Sequence, residues 1–98
     1  MRVEFHSEAR DEFKDAVVWY AGQQASLGRR FRQAVDSAVS DAAALPLRHP
    51  IIEQDVRRHL VRAFPYSVLY APERDCILIL AVMHHHREPG YWRSSHRV

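Results

Sequence analysis

"YSVLYAPERDCILILAVM", residues 66–83, decides the fold. The opening "YSVLYA" (66–71) is rich in aromatic and β-branched residues, as strands are. "PERD" (72–75) is turn chemistry, and "CILILAVM" (76–83) is apolar without a break. Strands joined by so short a link run antiparallel. A continuously apolar strand is one covered on both faces, so 76–83 belongs in the middle of a sheet.

Working outward, "RRHLVRA" (57–63) alternates loosely and reads as a third strand of the same meander. "PLRHPIIEQDV" (46–56) has two prolines and no sustained period, and reads as a loop crossing to the sheet. Before it, Leu27, Phe31, Ala34, Val35, Ala38, Val39, Ala42 and Leu45 form one stripe of a helix that Pro46 stops. Ala9, Phe13, Ala16, Val17 and Tyr20 form the stripe of an earlier helix, with Ser7 as N-cap and Glu8 against the dipole. Gly22 and "QQAS" end it, so a short glycine-containing link makes a helical hairpin with alanine-rich facing sides. "RVEFH" (2–6) alternates as a short strand, expected to pair with 76–83. The expected architecture is α+β: β-α-α-β-β-β, a helical hairpin packed on one face of a small antiparallel β-sheet, in one domain over residues 1–98. The uncovered face of that sheet is expected to gather arginine and histidine side chains.

Composition bounds the function. At 98 residues, 47% hydrophobic and 27% charged, the chain is globular in character and has no room for a second core. No apolar run approaches membrane-spanning length and no leader pattern opens the chain. Cys76 is the sole cysteine and cannot form an internal disulfide, which fits a reducing cytoplasm. The pI is near 9.0 at a net charge of +2, and Lys14 is the sole lysine among the basic residues. Guanidinium forks suit phosphate and carboxylate, so an anionic partner is expected, although arginine bias also follows from a genome's base composition. There is no G-x-S-x-G, P-loop or dinucleotide glycine fingerprint, and Cys76 lies inside a strand. Conventional hydrolases and nucleotide-cofactor enzymes drop out, and no cofactor is expected.

The chemistry-bearing stretch is "HHHREPGYWR" (84–93). On an extended segment His84 and His86 share a side and His85 points oppositely. An H-x-H pair with His59 offers imidazoles to a metal, but only Glu88 stands near to complete a shell, so no metal is assigned. A histidine cluster that adds positive charge when protonated is the preferred reading. Arg57, Arg58 and Arg62 lie on one strand segment, with Arg58 and Arg62 at even separation on one face. Arg87, Arg93 and Arg97 lie on the tail. Arg57 and Arg97 read as charges that blunt a strand edge. Arg62 and Arg87 flank the most apolar part of the chain, which fixes them in place. Tyr91 can serve as a base or stack, and Trp92 is read first as the anchor of the tail. Phe64-Pro65-Tyr66 and Tyr70 read as structural.

Four motifs in order complete the reading: W-Y at 19–20, L-G-x-x-F at 27–31, R-x-F-P-Y-x-x-x-Y at 62–70, and A-V-x-H-x-x-R-x-P-x-x-W at 81–92. Together they resemble, over nearly the whole chain, the RelE/ParE superfamily of bacterial toxins. That resemblance implies a type II toxin–antitoxin pair, with a cognate antitoxin covering the toxin's working surface. RelE-like members cleave mRNA on the ribosome; ParE-like members inhibit DNA gyrase without nuclease chemistry. By resemblance to the nuclease branch, Arg62, Arg87 and Tyr91 are the catalytic candidates. The loop before the sheet lacks that branch's lysines, and His85 stands where a second arginine is expected. The wording is closer to the ParE-like group, and an inactive homologue that only binds its antitoxin is the third reading. The expected partner-binding rim comprises Arg58, Arg62, His84, His86, Arg87, Tyr91, Trp92 and Arg93, facing an acidic antitoxin.

Overall fold

A computed structural model describes residues 1–96, the last two by backbone alone. Its elements run β1 (Arg2–Phe5), α1 (Ser7–Gln23), α2 (Ala25–Ala44), β2 (Ile51–Glu53), β3 (Val56–Leu60), β4 (Tyr66–Pro72), β5 (Cys76–His84) and a 3₁₀ helix (Tyr91–His96). The sheet order is β1-β5-β4-β3-β2, which puts the apolar β5 inside the sheet as expected. β3, β4 and β5 form the antiparallel meander, whereas β1 pairs with β5 in parallel, so the sheet is mixed. β2 is an addition. The stretch read as a loop holds a short edge strand, paired antiparallel with β3 through a turn in which Gln54 has a left-handed φ of 51°.

The hairpin link is tighter than expected. Gln24 alone separates the helices, its N–H bonded to the Tyr20 carbonyl, and Gly22 lies inside α1. The cap also shifts by one residue: His6, not Ser7, caps α1, its Nδ1 accepting the Glu8 N–H at 3.1 Å. The glycine that the crossing requires is Gly28. A Cβ there would stand 2.7 Å from the Ala21 Cβ.

The helices cover one face of the sheet, and the core between them holds Phe31, Val35, Val68, Tyr70, Ile77 and Ile79. The W-Y, L-G-x-x-F and F-P-Y motifs of the sequence converge in it. Tyr20, Phe31, Phe64 and Tyr66 form an aromatic cluster, with Tyr20–Phe31 centroids 4.9 Å apart and Phe31–Tyr66 centroids 4.8 Å apart. A bulge re-phases β5: Leu69 faces Ala81 but Tyr70 faces Ile79, leaving Leu80 as the extra residue. Ile77 and Ile79 therefore face the helices before the bulge, and Val82 faces them after it.

The opposite face corrects an expectation. It is apolar, built from Val56, Leu69, Ala71, Leu80 and Ala81 and roofed by Trp92, which is only 5% exposed. Arg58 and His85 stand on this side at its margins, but the 3₁₀ helix folds back over the middle, so no single cationic surface forms there.

Candidate interaction site

The tail is held by a carboxylate that the sequence reading passed over. β1 ends at Phe5, with the His6 N–H reaching the Ile79 carbonyl, so β5 continues beyond its neighbour. Glu12 of α1 takes up the free edge: its Oε1 accepts the Val82 N–H at 3.1 Å. Its other oxygen accepts the Tyr91 hydroxyl. The Arg87 guanidinium lies 3.8 Å from the centroid of the Tyr91 ring, and its Nη1 is 3.8 Å from the same carboxylate. Burial raises the Glu12 pKa above the ordinary carboxylate value, against the pull of Tyr91, Val82 and Arg87. Burial, then the hydrogen bond to Glu12, pushes the Tyr91 phenol upward as well. The signal was legible in principle: Glu12 falls between Ala9 and Ala16 on the buried stripe of α1, where an unpaired charge is costly.

Arg93 is equally engaged. It grips Glu53 of β2 with its Nε and Nη2, at 2.6–2.9 Å, and this bonding lowers the Glu53 pKa. Gly90 permits the bend: its φ is +76°, and a Cβ there would lie 2.2 Å from the Arg93 Nη1.

His84 and His86 do share a side, with ring centroids 5.0 Å apart, and the His86 N–H donates to the His84 Nδ1 at 3.0 Å. His85 points the other way, its Nε2 2.9 Å from the buried Ser67 hydroxyl. Burial and the neighbouring imidazoles lower the His84 pKa. Among the described residues no group of three or more His, Cys, Asp or Glu side chains is arranged to hold a metal.

The arginines of the meander separate. β3 ends at Leu60, and the chain turns through Arg62 and Ala63, whose φ is 70°, so Arg58 and Arg62 share no strand face. Arg58 pairs with Leu69 and belongs to the Trp92 side of the sheet. Arg62 lines a groove of about 510 Å³ against α2, with Arg30, Asp41 and His59 among its walls. Arg87 lines two other concavities, one with Glu8, Tyr91 and Trp92, the other with Asp15, Trp19, Tyr66 and His84. The walls around Arg62 and those around Arg87 have no residue in common, so the expected single rim divides. Arg57 is no edge charge: its Nη1 donates to the Leu47 and His49 carbonyls at 2.9 and 2.8 Å, fastening the loop before β2. Arg97 lies outside the described residues.

Beside that loop stands a second group that the sequence did not announce. His59 is 3.2 Å from the Asp41 carboxylate and stacks on His49 with centroids 4.0 Å apart. Burial, then the charge of His59, lowers the His49 pKa. The pair locks α2 to β3.

A mixed sheet with a two-helix hairpin on one face and a short C-terminal 3₁₀ helix on the other is a fold with known counterparts. The family model described as "ParE toxin of type II toxin-antitoxin system, parDE" matches residues 3–89. The chain belongs to the ParE toxin family of type II toxin–antitoxin systems. The solved structure of the chromosomal ParDE TA system from P. aeruginosa superposes with a TM-score of 0.74 at 15% identity, covering 86% of this chain and 95% of that one. At that identity the likeness speaks for the fold. A search of curated proteins gives no significant match. No helix among the described residues is long and apolar enough to cross a membrane.

Proposed function

We propose that the chain arrests bacterial growth in the cytoplasm by inhibiting DNA gyrase, and that a cognate antitoxin neutralises it. The observation that carries the choice of gyrase over mRNA is the state of Tyr91. A general base must be free to accept a proton near its own pKa. The Tyr91 hydroxyl instead donates to Glu12, and burial with that carboxylate drives its pKa upward. Arg62 and Arg87 line separate concavities, whereas nuclease chemistry requires cations that converge on one phosphate. A toxin that works by binding has neither requirement. The antitoxin would meet the groove at Arg62 and the surface at His84, His86 and Arg87, while Trp92 and Arg93 keep the tail in place.

Induction in cells tests the reading. Gyrase–DNA cleavage complexes and DNA-damage signalling are expected, with intact mRNA in ribosome footprints. An Arg62→Ala/Tyr91→Phe variant that still folds should keep most of its toxicity. Cut messages in the footprints, abolished by that double variant, would reverse the assignment to ribosome-dependent RNA cleavage. Absence of growth arrest would leave a protein that only binds its antitoxin.

A further inference from the structure

Residues 45–50 join α2 to β2 and have little apolar burial to hold them, since Leu45 is 53% and Leu47 69% exposed. Polar contacts hold the link instead. The Tyr70 hydroxyl donates to the Pro46 carbonyl at 2.7 Å, and the Arg58 N–H meets the Pro50 carbonyl at 3.0 Å. Arg57 takes the Leu47 and His49 carbonyls between them. What the link adds from its own side chains is the His49 ring, stacked on His59 of β3 and edge-on to Tyr70 at 6.2 Å.

Two imidazoles in a stack accommodate one proton far better than two. A protonated His59 has its partner in place, the Asp41 carboxylate at 3.2 Å, and that carboxylate is then spent. His49 has no such partner. Its Nε2 is buried with no hydrogen-bond partner among the described residues, and in the cation that nitrogen is a donor with nothing to receive it. The surrounding charges have the wrong sign. Arg48 lies in the link itself, Arg57 on β3, and Arg30 and Arg62 line the groove that Asp41 and His59 also border. Asp41 of α2 is the carboxylate against the pair, while Glu53 of β2 is held by Arg93. Tyr70 of β4 is neutral, its pKa raised by burial. Burial first, and His59 second, hold the His49 pKa below the ordinary imidazole value against the pull of Asp41.

We propose that the His49–His59 stack is an acid-released latch: protonating both rings parts them and frees residues 45–50 from β3, while the rest of the sheet stays closed. A surface hollow of about 380 Å³, bordered by Asp41, Ala44, Leu45 and Arg48, lies beside the ring and gives it a way out. The hold is full above the ordinary imidazole value and is lost as pH falls through the depressed value of His49. Other histidines titrate elsewhere in the fold: His6 at the cap of α1, His84 beside His86 at the end of β5. Their effects belong to α1 and to β5, not to the link. The latch is independent of whether gyrase or mRNA is the target.

Hydrogen–deuterium exchange on the full chain, corrected for the intrinsic pH dependence of amide chemistry, tests it. Lowering the pH from about 7.5 to about 5 should cut the protection of residues 47–53 at least about tenfold and leave β4 and β5 within about twofold. His49→Phe keeps a ring in the stack without a site for the proton, and should hold its protection at the lower pH. His6→Asn, which keeps an acceptor at the cap, and His84→Gln should lose protection of the link as the parent does. Circular dichroism establishes that each variant is folded. A second measurement needs no variant: in the histidine ring signals of the parent chain by NMR, His49 and His59 should each show the other's titration step. The proposal is overturned if the parent keeps its protection at the lower pH, or if a folded His49→Phe loses it equally. It is also overturned if the two rings titrate independently.

Discussion

The C-terminal tail and the helical hairpin are both rich in cations, and only one of them has cations to spare. In the tail Arg87 stacks on Tyr91 beside Glu12, and Arg93 is held by Glu53. On the hairpin Arg10, Lys14 and Arg32 surround an apolar cleft and enter no ion pair among the described residues. The sequence draws the eye to the first region because its histidines and arginines are consecutive. Availability for a partner depends on what the fold places opposite each charge, and there the second region leads.

If the tail is fastened and the hairpin is free, substitutions in the two should differ in kind. The largest effect is expected at Trp92, which closes the far-face cluster of Leu69, Leu80 and Ala81. Trp92→Ala should cost about 3–5 kcal/mol, the range for emptying a large aromatic site, read as a fall in denaturation midpoint. A loss below about 1 kcal/mol would mean that the tail does not seal that face.

Glu12 comes next. Glu12→Ala strands the Val82 N–H and the Tyr91 hydroxyl at once, and should cost about 2 kcal/mol. Combined with Tyr91→Phe the two losses should fall short of their sum, since both remove one hydrogen bond. Glu12 also gives the stability a pH dependence of known sign. Its folded pKa is raised, chiefly by burial, so the folded chain holds the proton more tightly than the unfolded one. The contribution is full below the ordinary carboxylate value and is lost as pH rises through the raised one. Glu12→Gln should remove that decline; an unchanged profile in the mildly acidic range would place the carboxylate in water.

Arg93→Ala should have a smaller effect still, since the pair it breaks is largely solvated. It is expected to speed amide exchange in β2 with little change in melting temperature. Glu53 has the opposite sign to Glu12. Its folded pKa is lowered, first by the Arg93 hydrogen bonds, so its contribution is present above the ordinary carboxylate value and fades as pH falls through the depressed one.

How much of this was legible follows from what each residue's role depends on. The helices were, because Leu27 through Leu45 repeat with the helical period and Pro46 can only end them. The place of β5 was, because "CILILAVM" has no polar residue to show to water. β2 was not: "IIE" is too short to display a period, and it exists as a strand only through its pairing with β3 across Gln54. The Leu80 bulge left no mark either, since every residue around it is apolar and either phase looks the same. That hidden shift turns Val82, and His84 after it, toward the helix side, whereas the histidines were expected on the uncovered face. Arg62 failed for a related reason. Even spacing from Arg58 implies a shared face only while the strand lasts, and β3 stops at Leu60.

The smallest effect sharpens the contrast most, because it should raise stability where the tail substitutions lower it. Arg10→Glu replaces its like-charged spacing from Lys14 with an attractive one, and should stabilise the fold by about 0.2–0.5 kcal/mol. Its melting curve should therefore move upward, opposite to those of Trp92→Ala and Glu12→Ala. A downward shift would mean that Arg10 serves the fold through a contact of its own. In the tail no single substitution of a charged group should raise stability in this way, because there the groups that bear charge are also the ones that hold the structure together.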